Sequence, residues 1–295
     1  VVNEHDVLIQ QIDAALKEWS QGDCVVGEHW FVHRFNPQHP LTSDSADIAQ
    51  EGTDLSESEV QGFSVVSQTC DIVPQRSRTC KDRPFVEVVP LIKINQKFLD
   101  KIKFQGSQEQ FLDEVRKCRR TQFAYIPGVA EYYLIADLDR VMTVEKAVIS
   151  EWKRIPGCRN DEEIRTLGQV LARKRVRFAF PDDFNQFVRN LQQRIQSKHS
   201  KNSDEGEALR ALREIRVRAE PSWNAPEVQL MFFFIRHEDQ IQSQKMEWDK
   251  LRRQWLDLVP ESGRFKADGI VTSLEDMTAK DYVESDLLDL DHLSS

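Results

Sequence analysis

The sequence predicts an α+β protein, a small barrel of short strands followed by a unit that mixes helices and strands. Three observations carry this. From residue 24 to 144, runs rich in valine and aromatics alternate with clusters of turn residues, the pattern of a small strand-built unit. After Gly157-Cys158, segments with acidic starts and basic ends, as helix dipoles favour, are interleaved with apolar strand-like runs. The 295 residues, 40% hydrophobic and 30% charged, fit a folded chain of about two domains.

Residues 5–20 predict a helix with Val7, Ile9, Ile12, Ala15, Leu16 and Trp19 on one broad face, stopped by Gln21-Gly22-Asp23. "CVVGEHWFVHRF" (24–35) reads as a strand. The polar, acidic stretch 37–60 reads as a long mobile loop. Strands are expected at 62–68, 84–92, 122–127 and 132–144, with a helix over 107–120. Beyond 158, helices are expected at "NDEEIRTLGQVLARKR", "FPDDFNQFVRNLQQRIQSKHS", 205–213 and 240–257. Strands are expected at about 214–222, at 227–236, whose "MFFFI" demands burial on both faces, and at 266–273. The expected organisation is an N-terminal helix over 1–21, a barrel over 22–155 and an α+β unit over 159–295 with an acidic tail docked through its leucines.

Charge is unevenly distributed within the net −9: residues 1–91 and 221–295 are acidic and 92–220 basic. Such a middle either offers a nucleic-acid surface or neutralises its own flanks in the fold. Five cysteines without a CxxC pattern read as free thiols in a reducing cytoplasm. The charged, amphipathic N-terminus does not read as a signal peptide, and no apolar run is long enough to span a membrane. Walker A, GxGxxG, GxSxG and HExxH motifs are all lacking, which removes sequence support for nucleotide-hydrolase, dinucleotide-dependent and serine-hydrolase functions. No cofactor and no metal are expected: His29 and His33 fall about 13 Å apart along a strand, and Asp137 and Asp139 sit beside Arg140, which favours a salt bridge.

"GFSVVSQTCDIVPQ" (62–75) is an apolar strand that empties into a polar turn, Gln68-Thr69-Cys70-Asp71. Cys70 can be a packed thiol beside an Asx turn, a lining group, or a nucleophile that needs a cation or an imidazole to reach its thiolate; an adjacent carboxylate works against that form. "RSRTCKDR" (76–83), "RKCRR" (116–120) and "RKRVR" (173–177) are basic clusters with aromatics nearby; the last two also sit where helix C-termini favour cations.

"QGDCVV", then "GFSVVSQTCD", "PFVEVVPLI" and "YYLIADLDRVMTVEKAVI", taken in that order, resemble the MazF/PemK-type toxin barrel, an SH3-like fold, over roughly 22–155. That resemblance implies a bacterial, cytoplasmic toxin- or defence-type factor that contacts RNA or DNA. It further implies a metal-independent endoribonuclease, often dimeric, whose groove an antitoxin-like inhibitor occupies. The family's catalytic arginine falls on Gly62 and its threonine near Ile92, so both are absent. Arg83, Arg140 and Thr143 are then the candidates to stabilise a phosphate, with Gln68, Cys70, Asp71, Arg76, Arg78, Arg119 and Arg120 as binding residues. Two other functions stay open: a non-enzymatic protein-binding adaptor and a cysteine-dependent enzyme. No family resemblance covers 159–295.

Overall fold

The computed structural model describes residues 4–74, 78–175, 178–199, 201–237, 247–259 and 263–288. The chain is α+β and divides into two compact units, 1–176 and 177–295.

The first unit begins with α1 (Glu4–Leu16), whose Ile12 and Leu16 are buried. It is shorter than the sequence suggests because the backbone N–H of Ser20 turns onto the Asp23 carboxylate (2.8 Å), although Trp19 still reaches the core. β1 (Cys24–Arg34) pairs antiparallel with β2 (Leu55–Val65), and a bulge between Val26 and His29 shifts their register. Residues 37–60, expected as a loop, contain α2 (Ser43–Ile48) and half of β2. Thr42 caps α2 by accepting the Ser45 N–H, and Gly52 (φ +75°) lets the chain turn into β2. This first half of β2 is hidden in the sequence because serine occupies its inward positions Ser56 and Ser58, and an inward apolar residue appears only at Val60.

α3 (Thr69–Ile72) follows β2, then β3 (Phe85–Lys93), α4 (Gln96–Lys101), α5 (Gln108–Arg116), β4 (Phe123–Ala124), β5 (Leu134–Asp137), β6 (Met142–Glu145), α6 (Lys146–Ser150) and α7 (Asp161–Arg175). β3 is the common strand: β2 pairs with Val88–Pro90, β6 with Phe85–Val88 and β5 with Leu91–Lys93, all antiparallel. The strand expected over 132–144 is broken in two. Asp137 makes an Asx turn, accepting the Asp139 N–H (3.0 Å) and the Arg140 guanidinium (2.7 Å), and β6 resumes after it. β6 returns towards β1, where the Val32 N–H meets Met142 Sδ at 3.4 Å and Arg140 lies over Phe31. The sheet order is β1-β2-β3-β5-β4 with β6 on β3, and no backbone ladder joins β1 to β6 among the described residues.

α7 belongs to this first unit, so the division falls after it and not near 155–159. Leu167 and Leu171 pack with Cys24, Val66, Val89 and Leu91. The residues between β6 and α7 are tied back to the start of β1: Asp23 is buried and receives Arg154 Nε (2.7 Å) and the Gly157 N–H (3.1 Å), while Cys24 and Ile155 bridge. The approach is close. A Cβ on Gly157 would lie 1.8 Å from the Gly22 carbonyl oxygen, and one on Gly22 (φ +94°) would strike Leu167.

The second unit comprises α8 (Asp182–Phe187), α9 (Arg189–His199), α10 (Asp204–Ala211), β7 (Leu212–Glu220), β8 (Val228–Arg236), α11 (Trp248–Leu256), β9 (Phe265–Ser273), α12 (Ala279–Val283) and β10 (Asp286–Leu287). The sheet runs β10-β7-β8-β9, with β8 and β9 parallel and the other pairs antiparallel. Phe232, Phe233, Phe234 and Ile235 are all buried. Trp255 of α11 packs on Phe234. In the tail, Leu288 is buried and its N–H bonds the Ile215 carbonyl; Leu290 and Leu293 lie outside the described residues.

Asp23 and Gly157 make a stability prediction. Asp23→Ala leaves Arg154 and the Gly157 N–H without their acceptor and is expected to cost about 2–3 kcal/mol. Gly157→Ala forces apart two backbones and is expected to cost about 3 kcal/mol or more. Urea unfolding followed by far-UV circular dichroism checks both; midpoints equal to the parent's would contradict this account.

Candidate functional site

The turn Gln68-Thr69-Cys70-Asp71 is a single helical turn, not a loop. The Asp71 and Ile72 N–H groups bond the Gln68 carbonyl, and the Val73 N–H bonds that of Thr69. Ile72 anchors the turn by complete burial. Its outer side is fastened to the chain before β1, since the Gln21 N–H donates to Thr69 Oγ1 (3.0 Å) and Gln21 Nε2 to the Val66 carbonyl (2.8 Å). The neighbouring backbone is tied to β3: Val66 N–H to the Glu87 carbonyl (2.9 Å) and Glu87 N–H to Ser67 Oγ (2.8 Å).

β3 alternates. Val86 and Val88 point into the core; Phe85 is exposed and Glu87 half-buried on the other face, where Glu87 stands opposite Thr143 of β6. That face, α3 and α7 line an open cleft of about 850 Å³, which includes Gln21, Ser67, Gln68, Asp71, Arg83, Phe85, Glu87, Thr143 and Arg175. Arg83 forms an ion pair with Asp71, and Arg175 with Glu87. Arg83 is set by the loop before β3, in which the Thr79 N–H bonds Asp82 (2.7 Å) and the Cys80 N–H bonds Asp13 of α1 (2.9 Å). Close by, Lys146 is buried, and burial pushes its ammonium below the usual lysine range.

The cleft thus brings together Gln68, Asp71, Arg83 and Thr143. It does not include Arg140, which is held by Asp137 and lies over Phe31. Arg119 and Arg120 are also elsewhere: Arg119 is exposed beyond α5, and Arg120 pairs with Glu114 (2.8 Å) over the rings of Phe104 and Phe111. Arg78 is exposed and does not line the cleft, and Arg76 lies outside the described residues. Gly62, where the resemblance places an arginine, has φ +134°, and a Cβ there would lie 2.0 Å from the Val25 carbonyl oxygen, so the backbone leaves no room for a side chain. Sequence reasoning missed Gln21, Ser67, Phe85, Glu87 and Arg175. The alternation of "PFVEVV" was a usable signal for Phe85 and Glu87; the register that puts Arg175 beside them was not.

The basic clusters are largely engaged with carboxylates. Lys81 pairs with Asp6, Lys117 with Asp113 and Lys174 with Asp139. No group of histidines, cysteines and carboxylates among the described residues is arranged to hold a metal ion. His29 packs edge-on against the stacked rings of Phe63 and Trp152, and burial lowers its imidazole below the usual range. His33 reaches Ser45 Oγ (3.1 Å). Cys70 is exposed, and its thiol meets Gln68 Oε1 at 3.6 Å. Burial pushes the Cys24 thiol up to about 12 and the Cys158 thiol to about 11, and raises that of Cys80. No helix among the described residues is long and apolar enough to cross a membrane.

Compared with known proteins, the chain matches no family model, no curated protein and no solved structure.

The thiols give a direct check. With iodoacetamide at pH 8, Cys70 is expected to alkylate at least ~10-fold faster than Cys24, Cys80 or Cys158, whose thiolates burial suppresses. Peptide mass mapping of a time course reads this; fast labelling of Cys24 would contradict the described packing.

Proposed function

We propose that the first unit binds single-stranded nucleic acid, RNA foremost, in the cleft beside β3, as a toxin- or defence-type factor with a MazF-like architecture. One observation carries the reading: Arg83, Phe85 and the Glu87–Arg175 pair follow one another along a single wall of the cleft. Each two-residue step of extended chain covers ~6–7 Å. A cation, an exposed aromatic ring and a second cation in succession suit a strand in which phosphates and bases alternate. Thr143, Ser67 and Gln68 add neutral donors along the track.

On this reading phosphates displace Asp71 from Arg83 and Glu87 from Arg175. Both arginine pairs are largely solvent-exposed, and such pairs are worth about 0–1 kcal/mol, so exchange is inexpensive. Cleavage, where it occurs, relies on Arg83 and Thr143 stabilising charge at phosphorus. The setting we propose is the cytoplasm, in keeping with five free thiols. An antitoxin-like inhibitor would compete for the same wall.

A second reading, a non-enzymatic protein-binding adaptor, is favoured by the charge balance: each cleft arginine already has a carboxylate.

Anisotropy titrations of labelled single-stranded RNA and DNA separate the two. Arg83→Ala and Arg175→Ala are each expected to weaken RNA binding ~5–20-fold and to flatten the salt dependence by about 0.7 per lost phosphate contact. Phe85→Ala is expected to cost about 1–3 kcal/mol. Asp71→Asn is expected to tighten binding by freeing Arg83. Cleavage that persists in EDTA and vanishes in Arg83→Ala would make the protein a metal-independent ribonuclease. No retention of either strand at low salt would overturn the nucleic-acid reading and leave the adaptor.

A further inference from the structure

The geometry points to the outer face of the β1–β2 hairpin as a docking surface for an arginine-bearing extended segment of a partner polypeptide. β1 sends Phe31 and His33 inwards; Val26, Trp30 and Val32 point out. Trp30 is 51% exposed and Leu55 of β2 46%. These are neighbours, not scattered residues. Trp30 and Val32 are successive outward positions, and Leu55 lies diagonally across from Val32, whose direct partner is Glu57. Contiguous apolar groups left on a sheet face mark a binding surface more than single ones do.

Charge says what covers this face. Glu59 stands directly opposite Trp30 and Glu57 opposite Val32, both exposed. Asp54 has a local cation, Arg34; among the described residues no ion pair engages Glu57 or Glu59. An indole with a carboxylate directly across the strand pair is a site for a guanidinium, which stacks on the ring and hydrogen-bonds the carboxylate; an ammonium does the second but stacks less well. Val32 and Leu55 take the aliphatic side chains between. At Val32 the outer edge of β1 is closed by the N–H contact to Met142 Sδ, so the partner lies on the face and does not extend the sheet there. None of these residues lines the cleft, and the inference holds whatever the cleft binds.

The test uses the full chain and a fluorescein-labelled synthetic peptide of alternating arginine and valine, followed by anisotropy. Binding is expected at low salt and to weaken with added salt. Trp30→Ala and the pair Glu57→Gln/Glu59→Gln should each reduce affinity ~10-fold, and the lysine version of the peptide should bind several-fold more weakly. The pair Glu4→Gln/Glu18→Gln removes the same charge from α1 and its end and should leave affinity unchanged. Circular dichroism confirms that the variants fold, as expected for exposed positions. Absence of binding, binding retained in Trp30→Ala, or equal loss in the Glu4/Glu18 pair would overturn the proposal. Sedimentation showing a dimer that Trp30→Ala dissolves would give the face to a second copy of this chain and overturn it as well.

Discussion

Asp23 is the constraint on which the first unit depends. Its carboxylate is buried, and it faces three donors: Ser20 just before it in the chain, and Arg154 and Gly157 more than a hundred residues later. A buried carboxylate is tolerated only when its oxygens are occupied. Here the partners fix where β1 begins and where the chain after α6 returns. The glycines on either side follow from that geometry, because Gly22 and Gly157 bring backbone against backbone where no Cβ fits. Once 155–157 is held there, α7 is delivered onto the sheet through Leu167 and Leu171, and its last turn places Arg175 at Glu87. One wall of the cleft is thus a consequence of the hub that holds the chain before β1, since Gln21 and α7 both line it.

β3 converts this frame into a site. Its inward residues, Val86 and Val88, belong to the core, and its outward ones, Phe85 and Glu87, to the cleft. The two-residue period of a strand makes the two roles inseparable in register. The same strand is paired on both sides, which resists a slip in register. The side chains that line this part of the cleft therefore project from a strand held by ladders on both edges.

Much of this was legible in the sequence, and what was not has physical causes. β8, β9, α7 and α10 announce themselves through apolar runs, acidic starts and basic ends. The first half of β2 does not, because Ser56 and Ser58 occupy inward positions that a hydrophobic pattern leaves blank. The break between β5 and β6 comes from a side chain, Asp137, competing with the backbone ladder, an interaction that Asp-Leu-Asp-Arg shows only in retrospect. At the site, Gln68, Asp71, Arg83 and Thr143 could be singled out because they flank strand ends. Arg140 looked equivalent in sequence but is spent on Asp137. Gln21 and Arg175 reach the cleft only through long-range closure by Asp23, which no local pattern encodes.

The charge asymmetry of the chain resolves into two kinds of ion pair. Arg154–Asp23 and Arg175–Glu87 both join the basic middle to the acidic first third, yet their surroundings differ. Asp23 is buried, so water cannot replace Arg154 without leaving an uncompensated charge, and that pair acts as a fixed strut. Arg175 and Glu87 are about half exposed to solvent, as are Arg83 and Asp71, and screening leaves such pairs worth little. An anion that enters the cleft therefore competes with weak, exchangeable partners. The carboxylates that neutralise the arginines in the free protein hold the guanidiniums aimed along the wall, which lowers the ordering cost of binding. A neutral cleft is compatible with anion recognition when its cations are positioned by groups that can let go.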